Sequence, residues 1–294
     1  MAAESMQDIK RRIKTVESTE HITNAMKLVS SSKFKRAKDT YDKTNEYLTY
    51  VTESIAQVMG EIDEVDLKEI VKSREIKTIC YIIVTSDRGM CGGYNNNVIK
   101  EAEKQMAEDG KEHILFTIGS KGTDHFRKRG YNIMASSEVP ADGFSFVAAK
   151  QMMIPVMLFY ERARIDEIRI VYTRFVNSLH QEVLTRTLLP FDEKQIKKFA
   201  LLRDMQEVHK PVHYEPSVKA LIDYLMPEFV YLSLYRQMME SNVCEHTARR
   251  SAMENATQNA REMLDYLSQT YNRARQAAIT NELIEIVSGA EALR

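Results

Sequence analysis

The residues most able to do chemistry lie in one short stretch, Ser86-Asp87-Arg88-Gly89-Met90-Cys91-Gly92-Gly93-Tyr94-Asn95. It falls between a strand-like and a helix-like run, where phosphate-cradling loops occur. The Gly-Lys-Ser/Thr of a nucleoside triphosphate loop is missing, and the glycine spacing does not fit G-x-G-x-x-G. Without that lysine the better reading is a structural turn built of small residues. The histidines His21, His113, His125, His180, His209, His213 and His246 are scattered, and spacing pairs none of them with a nucleophile. Cys80, Cys91 and Cys244 are three in number and lack metal-ligand spacing, which argues against a disulfide framework. No catalytic constellation, metal set or cofactor motif emerges.

The elements that flank this turn fall into three blocks. From Ser5-Met6-Gln7-Asp8, which resembles a capping box, there is no glycine or proline until Gly60. Ile9, Ile13, Val16, Thr19, Ile22, Met26 and Val29 recur at spacings of three and four. After a shift in register the pattern resumes with Phe34, Ala37, Tyr41, Thr44, Leu48, Val51, Ile55 and Val58. So narrow a seam predicts a coiled-coil helix of about 54 residues, roughly 80 Å long.

The middle block reads differently. Strand-like runs at 77–84, 113–118, 131–135, 168–176 and 183–189 alternate with helical stretches, the last of which (145–162) contains Pro155. That alternation predicts one compact α/β domain with a mostly parallel sheet flanked by helices, Rossmann-like in outline. The chain turns helical again from Ser217, with Pro227 expected to open the main segment. Ala260, Leu264, Leu267, Tyr271, Ala274 and Ala278 form a second seam, and Ile279, Leu283 and Ile286 continue it. Two long helices with narrow apolar edges need each other, so an antiparallel coiled coil is expected. The layout is therefore a coiled-coil helix over 1–60, a linker over 61–76, the α/β domain over 77–190, a linker over 191–213 and a coiled-coil helix over 214–294.

Composition fits this picture. The 294 residues are 44% hydrophobic and 28% charged, with 10 glycines, 6 prolines, no tryptophan and a net charge of −1. Few breakers favour long helices, and near-neutrality gives no global pull toward nucleic acid. No window has the roughly 18–20 apolar residues of a membrane span. Locally, Lys10, Arg11, Arg12, Lys14, Lys27, Lys33, Lys35, Arg36 and Lys38 outnumber Asp8, Glu17 and Glu20. That run suits a solvated face, a nucleic-acid track, or a rod offering positive charge to acidic protein partners. Phe34 alone is too little aromatic surface for base stacking.

Taken together, Ile22 to Val29, Ser86 to Asn95, Tyr214-Glu-Pro-Ser217, Glu245 to Arg249, Ala252 to Thr257 and Tyr271 to Val287 resemble the gamma subunit of F-type ATP synthases along the whole chain. The resemblance implies a non-catalytic central shaft. Its coil stands inside a ring of alternating alpha and beta subunits, while its globular part meets the epsilon subunit and a membrane c-ring. Ion-driven rotation of that ring is then coupled to ATP synthesis or hydrolysis on other subunits. By the same resemblance Met26, Lys27, Arg249, Arg275, Gln276, Thr280 and Glu282 match contacts with the catalytic subunit, and Tyr214 and Glu215 match contacts with the membrane ring. No cofactor, nucleic-acid partner or membrane insertion is implied. The regulatory cysteine pair of chloroplast members is lacking. Met1 lies close to the first helix, leaving no room for a transit peptide, so a peripheral protein on the cytoplasmic face of a bacterial plasma membrane is expected. A coiled-coil nucleic-acid-binding protein and a small-molecule enzyme using the glycine-rich turn are the rival readings.

Overall fold

The structure is a computed structural model that describes residues 6–59, 74–139, 144–191, 214–215 and 217–292. In chain order its elements are α1 (Met6–Met59), β1 (Thr78–Val84), α2 (Tyr94–Asp109), β2 (Glu112–Ile118), α3 (Ser120–Lys128), β3 (Ile133–Ser137), α4 (Phe146–Glu161), β4 (Glu167–Phe175), β5 (Gln181–Leu189) and α5 (Val218–Ala292). The capping box expected at Ser5, His209, His213 and both expected linkers, apart from 74–76 and Phe191, lie outside the described residues. The chain divides into two compact units, Ser32–Ala248 and Met1–Ser31 with Arg249–Arg294.

Within Ser32–Ala248 the five strands form one sheet in the order β3-β2-β1-β4-β5. All neighbours are parallel except the β4–β5 hairpin. β1 is central and covered on both faces, which is why it reads as an almost unbroken apolar run. Its alternate residues separate into two cores. Cys80, Ile82 and Val84 join Met153 and Val156 of α4, Ile222, Val230 and Leu234 of α5, and Ile55 and Val58 of α1. Ile79, Tyr81 and Ile83 pack with Val98, Ala102 and Met106 of α2 and with Phe126 of α3. The hairpin is closed by Asn177, whose Oδ1 accepts from the amides of Leu179 and His180, both at 2.8 Å. Such a side-chain-built turn needs only an Asx residue at the start.

Helix ends follow local chemistry. Ser145 caps α4 by accepting from the Ala148 amide at 3.1 Å, and Ser217 caps α5 by accepting from Ala220 at 3.2 Å. Gly110 ends α2 in the left-handed region. Pro155 lies inside α4 without ending it.

Pro227 does not open the C-terminal helix as expected. α5 starts nine residues earlier and runs through it. The carbonyl that loses its amide partner belongs to Asp223, an exposed residue that water can serve. Meanwhile Ile222, Met226 and Val230, one per turn, are buried in the core and hold the segment on either side of the proline. Packing outweighs the lost hydrogen bond.

α1 also differs from expectation in one respect. Its seam does not shift register between Val16 and Phe34. The inward positions there are Glu20, Thr23, Lys27 and Ser30, which keep the same three-four spacing and are buried or half-buried. Thr19, Ile22 and Val29, expected in the seam, are exposed. Following hydrophobicity alone selects the wrong stripe where the seam turns polar.

One glycine is required by its surroundings. Gly119 has φ +92°, and a Cβ there would lie 2.3 Å from the Thr85 carbonyl oxygen. Gly119→Ala is expected to cost about 3 kcal/mol or more, against about 1 kcal/mol for Gly130→Ala, whose φ is +76° with open space around it. Urea unfolding of the two variants checks the contrast, and equal costs would contradict it.

Candidate functional site

The glycine-rich turn is occupied by its own side chains. The Asn95 carboxamide accepts from the Ser86 amide at 2.9 Å, and Ser86 Oγ donates to the Arg88 carbonyl at 2.7 Å. Met90 and Gly92 both sit at φ +59°, so the turn needs left-handed backbone twice. Asp87 bridges two elements, accepting from the Ser120 amide at 2.7 Å and the Val139 amide at 2.8 Å. The first amide of α3, which could have faced an anion, is thus taken by a carboxylate. At the other end of the turn Tyr94 Oη shares a hydrogen bond with Ser241 of α5 at 2.8 Å, both groups buried, and the ring packs with Cys91 and Cys244. Where open α/β sheets usually leave a ligand crevice, a helix fills the space. The turn is structural.

The histidines and cysteines stay dispersed. His125 pairs with Glu103 at 2.8 Å and His180 with Glu182 at 3.0 Å, both on the surface. Burial lowers the pKa of His113, whose Nε2 lacks a partner beside the Tyr81 ring. All three thiols are buried and free, and burial pushes Cys80 up to about 12, so it is held as an unreactive thiol. Among the described residues no group of three His, Cys, Asp or Glu is placed to hold a metal.

What the structure does offer is surface. In the unit made by Met1–Ser31 and Arg249–Arg294 the two helices run antiparallel. Thr257 Oγ1 donates to Thr23 Oγ1 at 2.8 Å, and Arg261 reaches Glu20 at 2.8 Å. Ile9, Met253, Ala260 and Leu267 are buried along the same seam. Because short polar side chains occupy the seam at Thr23 and Ser30, the larger apolar residues of this stretch point elsewhere. Ile22, Leu28 and Val29 are 57%, 62% and 58% exposed. Met26 and Lys27 beside them are half-buried. Ile22, Met26 and Val29, at i, i+4 and i+7, share one stripe of the helix between the basic clusters Lys10–Lys14 and Lys33–Lys38, with Leu28 about 100° around from Val29. Apolar surface flanked by positive charge suits a partner with apolar and acidic groups.

A second such surface lies at the end of α5. The seam residues Leu264, Leu267, Tyr271, Ala274 and Ala278 are buried or half-buried as expected. The continuation does not hold. Ile279, Leu283, Ile284, Ile286 and Val287 are 49–67% exposed. Ile279 follows Ala278 by one residue instead of three or four, so the apolar stripe turns by about 100° away from the seam, whose three-four continuation is Asn281 and Glu285. Arg275, Gln276, Thr280 and Glu282 are all exposed on this segment, and the Thr280 hydroxyl is turned inward onto the Gln276 carbonyl at 2.9 Å. Arg249, by contrast, is buried. In the other unit Tyr214 is half-buried against the sheet core while Glu215 is exposed. The exposure of Ile22 and Val29 departs from the seam that hydrophobic spacing predicts, while Leu28 falls outside that spacing. The polar character of Glu20, Thr23, Lys27 and Ser30 was the signal available.

Comparison with known proteins gives one consistent picture. The family model described as ATP synthase matches residues 5–293. The ATP synthase gamma chain of Alkaliphilus metalliredigens is 41% identical over 290 residues, covering 98% of this chain and 99% of that one. The sodium ion specific ATP synthase gamma chain of Acetobacterium woodii is 39% identical over 305 residues, covering 99% of each. The Moorella thermoacetica ATP synthase gamma chain is 37% identical over 289 residues, with 98% and 99% covered. Among solved structures, a chain of the Euglena gracilis mitochondrial ATP synthase (OSCP/F1/c-ring) shares the fold with a TM-score of 0.71 at 19% identity, covering 98% of this chain and 94% of that one. A central stalk/c-ring chain of the Tetrahymena thermophila enzyme gives 0.61 at 22% identity, covering 80% and 99%.

The hydroxyl pair in the seam is testable alone. Thr257→Val leaves the Thr23 oxygen short of a donor and is expected to cost about 1–2 kcal/mol, while changing both threonines to valine restores part of it, because neither oxygen is then stranded. A double-mutant cycle in urea measures the coupling. Additive losses would show that the pair is not coupled.

Proposed function

Since the chain belongs to the family of ATP synthase gamma chains, we propose that it is the enzyme's rotating central shaft, linking ion-driven rotation of a membrane ring to chemistry on separate catalytic subunits. The family match over residues 5–293 carries this reading. A gamma chain is a non-catalytic stalk subunit. The self-occupied turn at Ser86–Asn95 agrees with that role, since its polar groups bind one another.

A shaft acts by touching its surroundings differently at each angle. It favours a given conformation of a catalytic site only by the difference in contact free energy that its surface makes with that conformation. The two exposed apolar surfaces supply that kind of contact. We assign the patch around Met26 and Lys27 to a catalytic subunit's lever. Arg275, Gln276, Thr280 and Glu282 are assigned to loops of the same head, formed by alpha and beta subunits. Arg249, being buried, acts in this assignment by holding α5 rather than by presenting its charge. Tyr214 and Glu215 are assigned to the membrane ring, with the epsilon subunit alongside. The solved assemblies of similar chains are F1/c-ring and central stalk/c-ring complexes, which supports the head and the membrane ring as partners. No helix among the described residues is long and apolar enough to cross a membrane, and we assign the shaft a peripheral seat on the cytoplasmic face of a bacterial plasma membrane from its family.

The nucleic-acid reading gains no support. Part of the basic run is engaged within the helix, Arg11 with Asp8 at 2.7 Å and Lys38 with Asp42. The patch beside it is apolar rather than aromatic.

Met26→Lys places an ammonium at the edge of the exposed patch. It is expected to lower the ions moved per ATP hydrolysed by about fivefold, the low end of ordinary coupling energies, with an unchanged melting temperature. Hydrolysis and pumping measured on one reconstituted preparation decide it. Parallel loss of both, at constant pumping per ATP, contradicts the assignment of Met26.

A further inference from the structure

Within Ser32–Ala248 a cleft of about 430 Å³ lies between α1, β5 and α5. That volume falls in the lower part of the range usual for small-molecule pockets, about 300–1,000 Å³. It belongs to none of the contact surfaces above. One wall is apolar, made by Leu48, Phe191, Phe229 and Val230, with the two phenyl rings 6.1 Å apart between centroids. The rest of the lining carries charge and hydrogen-bonding groups.

Three of those groups constrain what could sit there. Gln237 lines the cleft, is 4% exposed, and has its Oε1 buried with no hydrogen-bond partner. A buried acceptor left open in this way calls for a donor. Arg186 lines the cleft and its side chain makes no hydrogen bond or ion pair among the described residues, so its guanidinium is available to an anion. Arg236 is different: Asn45 accepts from its Nε at 3.3 Å, and Glu240 balances its charge at 3.5 Å. Glu53, also on the lining, is a carboxylate without an ion pair among the described residues, and it opposes a second negative charge on anything bound.

We propose that this cleft binds a small soluble organic acid: one anionic group for Arg186, an aromatic or aliphatic body for the phenylalanine wall, and one N–H or O–H donor for Gln237. The apolar wall supplies most of the contact area, and the polar groups fix orientation. The proposal does not depend on the assignment of the shaft's contacts.

Anilinonaphthalene sulfonate has all three features and serves as the probe. The chain has no tryptophan, so Phe229→Trp in the full-length chain introduces a single reporter in the wall of the cleft. The dye is expected to quench the introduced indole with saturation at one equivalent. Adding Arg186→Gln should weaken that binding about tenfold, the loss expected for one charge-assisted hydrogen bond. Free 3-phenyllactate, which carries a carboxylate, a phenyl ring and a hydroxyl donor, should displace the dye. If Phe229→Trp disturbs folding, as judged by circular dichroism, Thr49→Trp on the opposite rim carries the same measurement, since Thr49 is exposed on α1. Dye binding that leaves the indole emission unchanged would overturn the proposal, as would binding indifferent to Arg186→Gln. Displacement by anionic lipid vesicles but not by free 3-phenyllactate would overturn the assignment to a soluble acid.

Discussion

The fold of Ser32–Ala248 depends on one contact, the burial of α5 against a face of the sheet. Ile222, Met226, Val230, Leu234 and Met238 recur once per turn and sink into the same core as Cys80, Ile82, Val84, Ile168, Ile170 and Tyr172. Each large side chain so buried contributes about 1.5–3 kcal/mol before entropy is subtracted. No surface ion pair of the molecule reaches that scale individually. The contact carries α5 through Pro227, fills the crevice beyond β1, and gives α1 a place to dock through Ile55, Ala56 and Val58. An α/β sheet with its crevice filled by a helix has lost the usual place for a cofactor. It has gained a rigid mount for a long helix instead.

Burial alone does not set register along a helix, because apolar contacts tolerate sliding. A buried polar cluster supplies what they lack. Glu240 is 2% exposed and accepts from both the Tyr41 hydroxyl of α1 and the Phe175 amide at the end of β4, each at 3.3 Å. Four residues earlier Arg236 balances its charge and reaches Asn45 of α1. Burial, with the carboxylate close by, pushes the Tyr41 phenol up to about 12, so it remains a donor at any physiological pH. A slide of α1 by one turn would take the Tyr41 hydroxyl from the buried Glu240 carboxylate and Asn45 from Arg236, and a buried carboxylate short of a donor is costly. The cluster therefore fixes α1, α5 and the sheet edge to one another. The Thr23–Thr257 pair does the same between the two helices of the other unit.

Much of this architecture was legible in the sequence, for identifiable reasons. β1 shows itself as a six-residue buried run, α2 ends at the one residue type that tolerates its C-cap, and Ser145 and Ser217 announce helices they in fact cap. The absence of breakers foretold both long helices. What failed was any inference that equated apolar with inward. Thr23 and Ser30 are buried while Ile22 and Val29 are not, because small hydroxyl residues let two helices approach and bond across the gap. Ile279 and Ile286 stay exposed because the stripe they form starts one residue after Ala278 and so leaves the face of the seam. Pro227 misled for a related reason: its local cost is real, but Met226 and Val230 on either side are anchored in the core.

Those failures share a physical cause that bears on function. A helix pair optimised for its own stability would place Ile22, Leu28 and Val29 inward, and threonine and serine outward. This chain does the reverse in the gap between two basic clusters, Lys10–Lys14 and Lys33–Lys38, where Lys27 is the one lysine or arginine. It also leaves five large apolar residues uncovered at the end of α5. Keeping apolar surface in water gives up stabilisation that the seam could have used. Such an arrangement makes physical sense where the surface is covered some of the time by something else. A surface whose cover changes with angle is what a rotating shaft requires, because only contacts that differ between conformations can transmit work. The misplacement of hydrophobic residues, judged against the isolated fold, is thus the part of the sequence that speaks most directly to the partner.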